Sequence, residues 1–262
     1  MRLFARNKQS WLSIVCIPQS INAALLCACF WVSLGSLAVR EANAQGSVVL
    51  IIRILAVGGP SQTIHIWGPS ATDPGLSLIG LGSNDNPSGT TPFGSASGMS
   101  LIGAGGSGGH FGYATTYASL IGALGQNQPE SSLTVLSPGG VTTFRTGTAL
   151  GCVQPINFKI GNWNDPWQDA AWGTFEIVAW DNSSGLYPTW QEALPAWQGG
   201  VIAAGHSAKF NVANIGGTAN PAPYLNDAER LQSFNLYFIP EPSKFGLAGL
   251  GVAALIIARR RR

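Results

Sequence analysis

The feature that most constrains this fold is the alternation of short apolar, β-branched runs with clusters of Gly, Pro, Ser and Asn. Residues 48–57 are almost all apolar, and a Gly-Gly-Pro turn signal at 58–60 ends the run. Similar short runs recur as far as residue 238, and the stretch 68–112 between them is dense in loop-forming residues. This pattern predicts many short strands joined by turns and loops rather than long helices.

Seven later segments are predicted strands, namely 63–67, 132–136, 141–146, 173–181, 201–204, 207–212 and 231–238. The Ser-Pro-Gly-Gly sequence at 137–140 predicts a hairpin between the second and the third of them. In the fourth, Phe175, Ile177 and Ala179 define one apolar face. A Thr-x-x-Glu capping box at 189–192 predicts one short helix. We therefore expect an all-β body, a jelly-roll-like β-sandwich with Gly-rich loops.

Charge is unevenly distributed along the chain. Between residues 45 and 242 there are five basic and eleven acidic residues, a net charge of −6, whereas the other basic residues lie near the two ends. A body of this kind lacks the Lys/Arg surface that neutralises phosphates, so we expect no nucleic-acid partner. Cys152 is the one cysteine between those limits, which excludes a disulfide framework there. Its apolar neighbours favour a small buried side chain over a catalytic thiol.

The first 44 residues have the features of a signal peptide. Basic residues at 2, 6 and 8 precede an apolar run at 21–39, and the A-x-A sequence from Ala42 to Ala44 matches a signal-peptidase site. Cleavage there would make Gln45 the first mature residue. The alternative is an uncleaved membrane anchor, because the run nearly reaches the ~20 residues that span a bilayer.

The segment 239–262 has three parts in a fixed order. A Pro-Glu-Pro motif is followed by fourteen apolar or glycine residues at 245–258 and then by a block of arginines. As a helix the apolar part would be ~21 Å long, shorter than a ~30 Å bilayer core, but Lys244 and the arginines could snorkel to the two surfaces. The alternative is an ordinary core helix after a turn, which would have no need of the arginines. These are Arg259, Arg260, Arg261 and Arg262.

This tail resembles the PEP-CTERM sorting signal, which is also labelled an ice-binding-protein C-terminal domain. The resemblance implies that Pro240, Glu241 and Pro242 are recognised by an exosortase, a membrane-embedded cysteine protease that cuts close to them. The second label implies no ice-binding activity here, because regular Thr-rich repeats do not occur in the sequence. A second resemblance covers roughly the second half of the body. The segments 143–147, 178–181, 205–207 and 231–234 are similar to an ordered series in PEP-CTERM surface proteins of uncharacterised function.

Two enzyme-like glycine motifs, G-x-G-x-x-G and G-x-S-x-G, overlap at 103–109. A dinucleotide site needs a helix after the glycines, whereas the residues after His110 favour a strand, and a nucleophile elbow needs an α/β sheet. The three histidines are isolated in the sequence, and the aspartates at 165, 169 and 181 lack the spacing of a calcium loop. We therefore expect a non-enzymatic protein without a metal or a cofactor.

Six tryptophans fall between residues 163 and 197, beside Asn, Asp and Gln side chains. Aromatic rings with a polar rim suit a glycan, because sugar C–H faces stack on the rings and hydroxyl groups bond the rim. Trp163, Trp167 and Asp165 are the candidate glycan-binding residues. The alternative is that the tryptophans are structural, with Trp172 and Trp180 in the core and the others packing loops.

These observations predict a signal peptide at 1–44, a β-rich extracellular domain at 45–238 and a sorting signal with a transmembrane helix at 239–262. We expect signal peptidase, an exosortase and, transiently, the membrane as partners. The protein would end at the cell-envelope surface or in the extracellular matrix, with a structural or adhesive body. The alternative is a carbohydrate-binding module that holds exopolysaccharide on a Trp-rich face.

Overall fold

The computed structural model describes residues 46–54, 62–80, 93–94, 98–136, 140–161, 165–225 and 231–240. All of them belong to one of the two compact units into which the chain divides, residues 43–262. The predicted signal peptide, the sorting motif after Pro240, the apolar tail and its arginines lie outside the described residues. In the part that is described, no helix has the length and apolar character needed to cross a membrane.

Twelve strands are assigned within the described ranges, most of them short. In chain order they are β1 (Gly46–Leu50), β2 (Arg53–Ile54), β3 (Gln62–Thr63), β4 (Ile66–Trp67), β5 (Thr116–Leu124), β6 (Thr134–Val135), β7 (Val141–Thr142), β8 (Ile156–Ile160), β9 (Trp172–Asp181), β10 (Ala204–His206), β11 (Phe210–Ala213) and β12 (Phe234–Asn235). The expected β-rich fold is confirmed at this level.

The two longest strands form the centre of a six-stranded sheet. β5 and β9 pair antiparallel from Thr116 opposite Asp181 to Leu124 opposite Gly173. Each central strand has two short strands along its outer edge: β6 and β7 pair with β5, and β10 and β11 pair with β9. Smaller two-stranded sheets join β1 to β8, β2 to β3 and, in parallel, β4 to β12.

The odd-numbered face of β9 lies in the main core. Phe175, Ile177 and Ala179 are buried there, as the apolar alternation predicted. Side chains from β1 and β8, such as Leu50 and Phe158, belong to the same buried cluster. Full burial of each large side chain contributes roughly 1.5–3 kcal/mol, so this shared core is what holds the smaller sheet with the larger one.

The even-numbered face of β9 is partly covered by a helix, α1 (Trp190–Gln198). The predicted capping box is confirmed: the Glu192 N–H donates to the Thr189 hydroxyl, and the Thr189 N–H donates to the Glu192 carboxylate. Trp190 and Trp197 lie on the buried side of the helix and form a second core. Its other members include Val178 and Trp180 of β9.

Two details differ from the sequence-based expectation. The hairpin predicted around 137–140 is wrong, because β6 and β7 each pair with β5, at Ile121 and at Ala118, and not with each other. The predicted continuous strand 48–57 is interrupted after Leu50, where the chain bends before β2 begins. The first difference arises because the long strand β5 offers a hydrogen-bonding edge that a local turn signal does not reveal. In the second, the two parts of the apolar run pair with different strands, β1 with β8 and β2 with β3.

Candidate functional site

The even face of β9 changes character along its length. Because side chains alternate across a strand, residues 172, 174, 176, 178 and 180 share this face. Trp172 is 40% exposed at one end, whereas Trp180 is fully buried under α1 at the other. Thr174 and Glu176 lie between them and are the polar members of the face. The face therefore runs from an open aromatic end, through a polar centre, to a closed apolar end.

The open end of this face borders a groove of about 890 Å³. Two of the large exposed side chains of the described part line it, Trp172 and Tyr224, the latter 50% exposed. The groove therefore combines accessible aromatic rings with a polar wall. The polar residues that line it are Gln126, Asn127, Gln128, Thr174, Lys209 and Asn211.

One wall of the groove is held by a reciprocal pair of asparagines. The backbone N–H of Asn127 donates to Oδ1 of Asn211, and Nδ2 of Asn211 donates to Oδ1 of Asn127, both at 2.8 Å. The Thr174 hydroxyl accepts from the Gln128 N–H at 3.0 Å and donates to the carbonyl oxygen of Gly125 at 2.8 Å. These bonds fix the loop to β9 and β11 before any ligand binds, so the wall is preorganised.

The groove is nearly free of charge. Of the described residues that line it, Lys209 alone is charged, and its Nζ donates to the carbonyl oxygen of Gln128 at 3.0 Å. An ammonium group has three donors, so two remain for a ligand. Gln126, which also lines the groove, is exposed. The amide groups and the one ammonium group along this rim can form hydrogen bonds with the hydroxyl groups or the carboxylate of a ligand.

Two of the predicted glycan-binding residues, Trp167 and Asp165, lie in the described ranges, and neither lines the groove. Trp163 is outside the described residues. Trp167 is half-buried and packs on Phe175 with ring centroids 5.6 Å apart, on the opposite face of β9 from Trp172. Asp165 closes a local turn, since its Oδ1 accepts from the Trp167 N–H at 3.1 Å. Among the tryptophans that the structure describes between residues 167 and 197, Trp172 is the one that lines the groove.

Glu176, at the polar centre of the face, is a buried carboxylate that is 2% exposed. Its Oε1 is hydrogen-bonded to Nδ1 of His206 in β10. Glu130 adds a second carboxylate, and the three side chains place their oxygen and nitrogen atoms within 4.8 Å of one another. Burial lowers the pKa of His206, but the hydrogen bond with Glu176 and the charges of both glutamates outweigh burial, so the pKa is raised overall.

Aromatic and hydroxyl groups surround this cluster. The ring of Trp197 packs edge to face on two neighbouring rings. Its ring centroid lies 6.0 Å from that of His206 and 5.2 Å from that of Tyr237. Burial raises the pKa of the Tyr237 hydroxyl; a hydrogen bond with Ser77 opposes this, and the charges of the two glutamates add to it. The sequence holds one local signal at this position, on which no prediction was based: Glu176 is the one ionisable residue among the apolar residues 175–180, but its partners His206 and Glu130 are distant in the chain.

The second histidine–carboxylate pair, His110 with Asp181, does not have the geometry of a catalytic Ser–His–Asp triad. Nδ1 of His110 lies 2.6 Å from Oδ2 of Asp181 and 3.0 Å from Oγ of Ser183. A Ser–His–Asp relay places the serine and the aspartate on different ring nitrogens, whereas here both contact the same one. The glycine motif at 103–109 lies in a loop that leads into β5, and no helix follows it directly. Neither arrangement supplies an activated nucleophile.

The Gly-His-Ser segment at 205–207 has a structural explanation for each residue. A Cβ on Gly205 would lie 2.2 Å from the carbonyl oxygen of Asn235, so only glycine fits. His206 pairs with Glu176. The buried Ser207 hydroxyl accepts from the Ile177 N–H at 3.0 Å and continues the sheet between β10 and β11.

Comparison with known proteins identifies no relative: no family model matches the chain, and no curated protein or solved structure matches it either. Of the predicted sorting motif, Pro240 is the one residue within the described ranges. Cys152 is fully buried, as predicted, and its thiol donates to the carbonyl oxygen of Ile64 at 3.6 Å.

Proposed function

We propose that this chain is an exported surface protein whose β-rich body binds polysaccharide through the groove beside Trp172. The observation on which this rests is the pairing of two exposed aromatic rings, Trp172 and Tyr224, with an amide-rich wall in which Lys209 is the one charged residue of the described lining. The role is adhesive rather than catalytic: the protein would attach extracellular polysaccharide to the cell envelope or the matrix.

The groove suits a sugar chain for three physical reasons. An exposed tryptophan is costly in water but stacks well on the C–H face of a pyranose. The Asn127–Asn211 pair holds the wall in place, so little ordering entropy is lost on binding. The single cation, Lys209, would favour sugars that bear a carboxylate and would leave neutral sugars able to bind.

The body is proposed to be a β-sandwich. The support is that the β1–β8 pair and the six-stranded sheet bury side chains in one shared cluster, including Val48, Ile160 and Phe175. Two sheets that bury one face each against a common core form such a layered architecture.

The export route is proposed from the sequence of the two ends. A signal peptide at 1–44 with cleavage after Ala44 would deliver the body across the membrane. The tail at 239–262, with Pro240-Glu241-Pro242, an apolar helix and four arginines, would hold it there until an exosortase cuts near the motif. The body would then be released to the surface or the matrix.

Polysaccharide binding is tested by affinity electrophoresis of the purified protein in gels that contain exopolysaccharide from its host. Trp172→Ala and Tyr224→Ala should each weaken retention about 10-fold, which corresponds to about 1.4 kcal/mol of lost stacking. Leu186→Ala is the matched control, because Leu186 is 70% exposed and does not line the groove. Equal retention of all three variants and the unaltered protein would refute the proposal.

The export route is tested separately, by mass spectrometry of both termini of the protein recovered from its host. The expected species begins at Gln45 and ends between Pro240 and Ser243. A species in the membrane fraction that still ends at Arg262 would refute exosortase processing and would indicate a single-pass anchor instead.

A further inference from the structure

The cluster beside the groove contains three side chains that are common metal ligands. Glu130 lies in a 3-10 turn (Glu130–Ser132), Glu176 in β9 and His206 in β10. Their ligand atoms all lie within 4.8 Å of one another. Zinc binds nitrogen and oxygen at about 2.0–2.2 Å, so the ligands of one tetrahedral ion are roughly 3.4 Å apart. Glu130 is exposed, so its side chain can rotate toward the other two ligands, whereas the hydrogen-bonded atoms of Glu176 and His206 would have to move apart to admit the ion.

The buried carboxylate of Glu176 is incompletely satisfied. Its Oε1 is bonded to His206, but no donor among the described residues bonds Oε2. At 2% exposure this carboxylate has lost most of the water that would otherwise solvate it, although Oε2 keeps some contact with solvent, and the loss is unfavourable unless other groups compensate for it. The second carboxylate, Glu130, adds negative charge to the same place. A protonated His206 would still leave the three groups with a net charge of −1.

We propose that Glu130, Glu176 and His206 bind one divalent transition-metal ion, with Zn²⁺ as the best fit. The imidazole ligand disfavours Ca²⁺ and Mg²⁺, which prefer oxygen alone. Two carboxylates and a neutral imidazole balance a +2 ion. The metal replaces the proton between Nδ1 of His206 and Oε1 of Glu176, and that proton passes to solvent. Three protein ligands leave a position for water.

Such an ion would fasten the wall of the groove. Glu130 lies two residues after Gln128, which lines the groove and is bonded to Thr174. Glu176 lies two residues after Thr174 on the same face of β9. The metal would therefore join this loop to β9 and β10. The inference does not depend on polysaccharide binding, since metal retention can be measured without any glycan.

The test uses the full-length, tag-free protein, stripped with EDTA and dialysed against ZnCl₂. Inductively coupled plasma mass spectrometry should find one zinc per chain, and the melting temperature should rise when Zn²⁺ is restored. Co²⁺ in place of Zn²⁺ should produce visible absorption bands of a nitrogen–oxygen site. Ca²⁺ at the same concentration should leave the melting temperature unchanged.

Glu130→Gln is the decisive variant, because Glu130 is exposed and its replacement does not threaten folding. It should weaken zinc binding at least ~10-fold. His206→Gln should do the same, whereas His110→Gln should retain the full stoichiometry, because no third metal-ligating side chain of the described part joins the His110–Asp181 pair. Substoichiometric zinc in the unaltered protein would overturn the proposal, as would equal retention by Glu130→Gln.

Discussion

Thr218 donates two hydrogen bonds to a single oxygen of Asp169, from its backbone N–H at 2.9 Å and from its hydroxyl at 2.7 Å. The other carboxylate oxygen accepts from the N–H groups of Ala219 and Asn220. One aspartate thus organises a loop about fifty residues later in the chain. That loop leads into the segment 221–224, which lines the groove.

Because of this loop, we expect Asp169 to confer a dependence of stability on pH. The Thr218 side-chain hydrogen bond, the Asn220 N–H and the other backbone donors lower the pKa of Asp169. A carboxyl group whose pKa is lower in the folded state stabilises that state above its unfolded pKa of about 3.9, and the stabilisation is lost as the pH falls through the folded value. Asp169→Asn should therefore lower the urea midpoint at pH 7 and differ less from the unaltered protein near pH 3.

Urea denaturation at pH 7, 5 and 3 measures this dependence. Asp73→Asn is a suitable control, because the Asp73 carboxylate accepts one local hydrogen bond, from the Gly75 N–H. The assignment to Asp169 fails if both variants respond to pH in the same way.

The cap of α1 should have a measurable stability contribution. Thr189→Ala removes the hydroxyl that accepts from the Glu192 N–H and should cost about 1 kcal/mol. Thr189→Ser keeps an acceptor and should cost much less. Chemical denaturation followed by tryptophan fluorescence reports this directly, because α1 carries two buried tryptophans, Trp190 and Trp197. Equal stability of the alanine and serine variants would show that the cap is dispensable.

Gly205 should not tolerate a side chain. Its Cβ would meet the carbonyl oxygen of Asn235 at 2.2 Å, and that oxygen is backbone, so β10 and β12 would have to separate. We expect Gly205→Ala to lower the free energy of unfolding by about 3 kcal/mol. Gly105→Ala is the control, because nothing lies within 4 Å of its Cβ. A thermal melt in which both variants match the unaltered protein would contradict the close approach.

Alanine substitutions of Trp167 and Trp172 should have different effects, the first mainly on stability and the second mainly on polysaccharide binding. Trp167 packs on Phe175 and on the core, so Trp167→Ala should lower the free energy of unfolding by about 2 kcal/mol. Trp172→Ala should change stability by less than about 1 kcal/mol, since Trp172 is 40% exposed and lies outside the buried cores, yet it should weaken polysaccharide retention. Denaturation and affinity electrophoresis on the same two preparations make the comparison. The opposite pattern would assign the glycan site to the Trp167 side of β9.

Local features of the fold were readable from the sequence, whereas distant pairings were not. The capping box at 189–192 and the buried face of 173–181 depend on residues a few positions apart, and both were predicted. The hairpin at 137–140 failed because a turn signal does not specify the strand with which each arm pairs. Register between strands depends on the whole core.

The candidate sites could not be read from the sequence for the same reason. His206 lies opposite Val178, so it meets Glu176 diagonally across two strands, a neighbour set by register alone. The groove draws its lining from segments around Asn127, Trp172, Asn211 and Tyr224. The sequence identified an aromatic region but did not show which rings would remain exposed.

The last described residues of the body, up to Pro240, pack against the segment around Pro74 and Gly75. The Phe238 N–H donates to the carbonyl oxygen of Pro74 at 2.8 Å, and a Cβ on Gly75 would come within 3.0 Å of the Pro240 ring. Five residue steps lead from there to Phe245, where the predicted apolar segment begins, and an extended chain covers at most about 3.6 Å per step, or roughly 18 Å in all. On the proposed export route, the segment that links the folded body to the membrane helix is therefore very short. The body of the unprocessed protein would lie close to the bilayer surface and would leave the protease little space at the motif. Lengthening this linker would therefore change the rate at which the tail is cut.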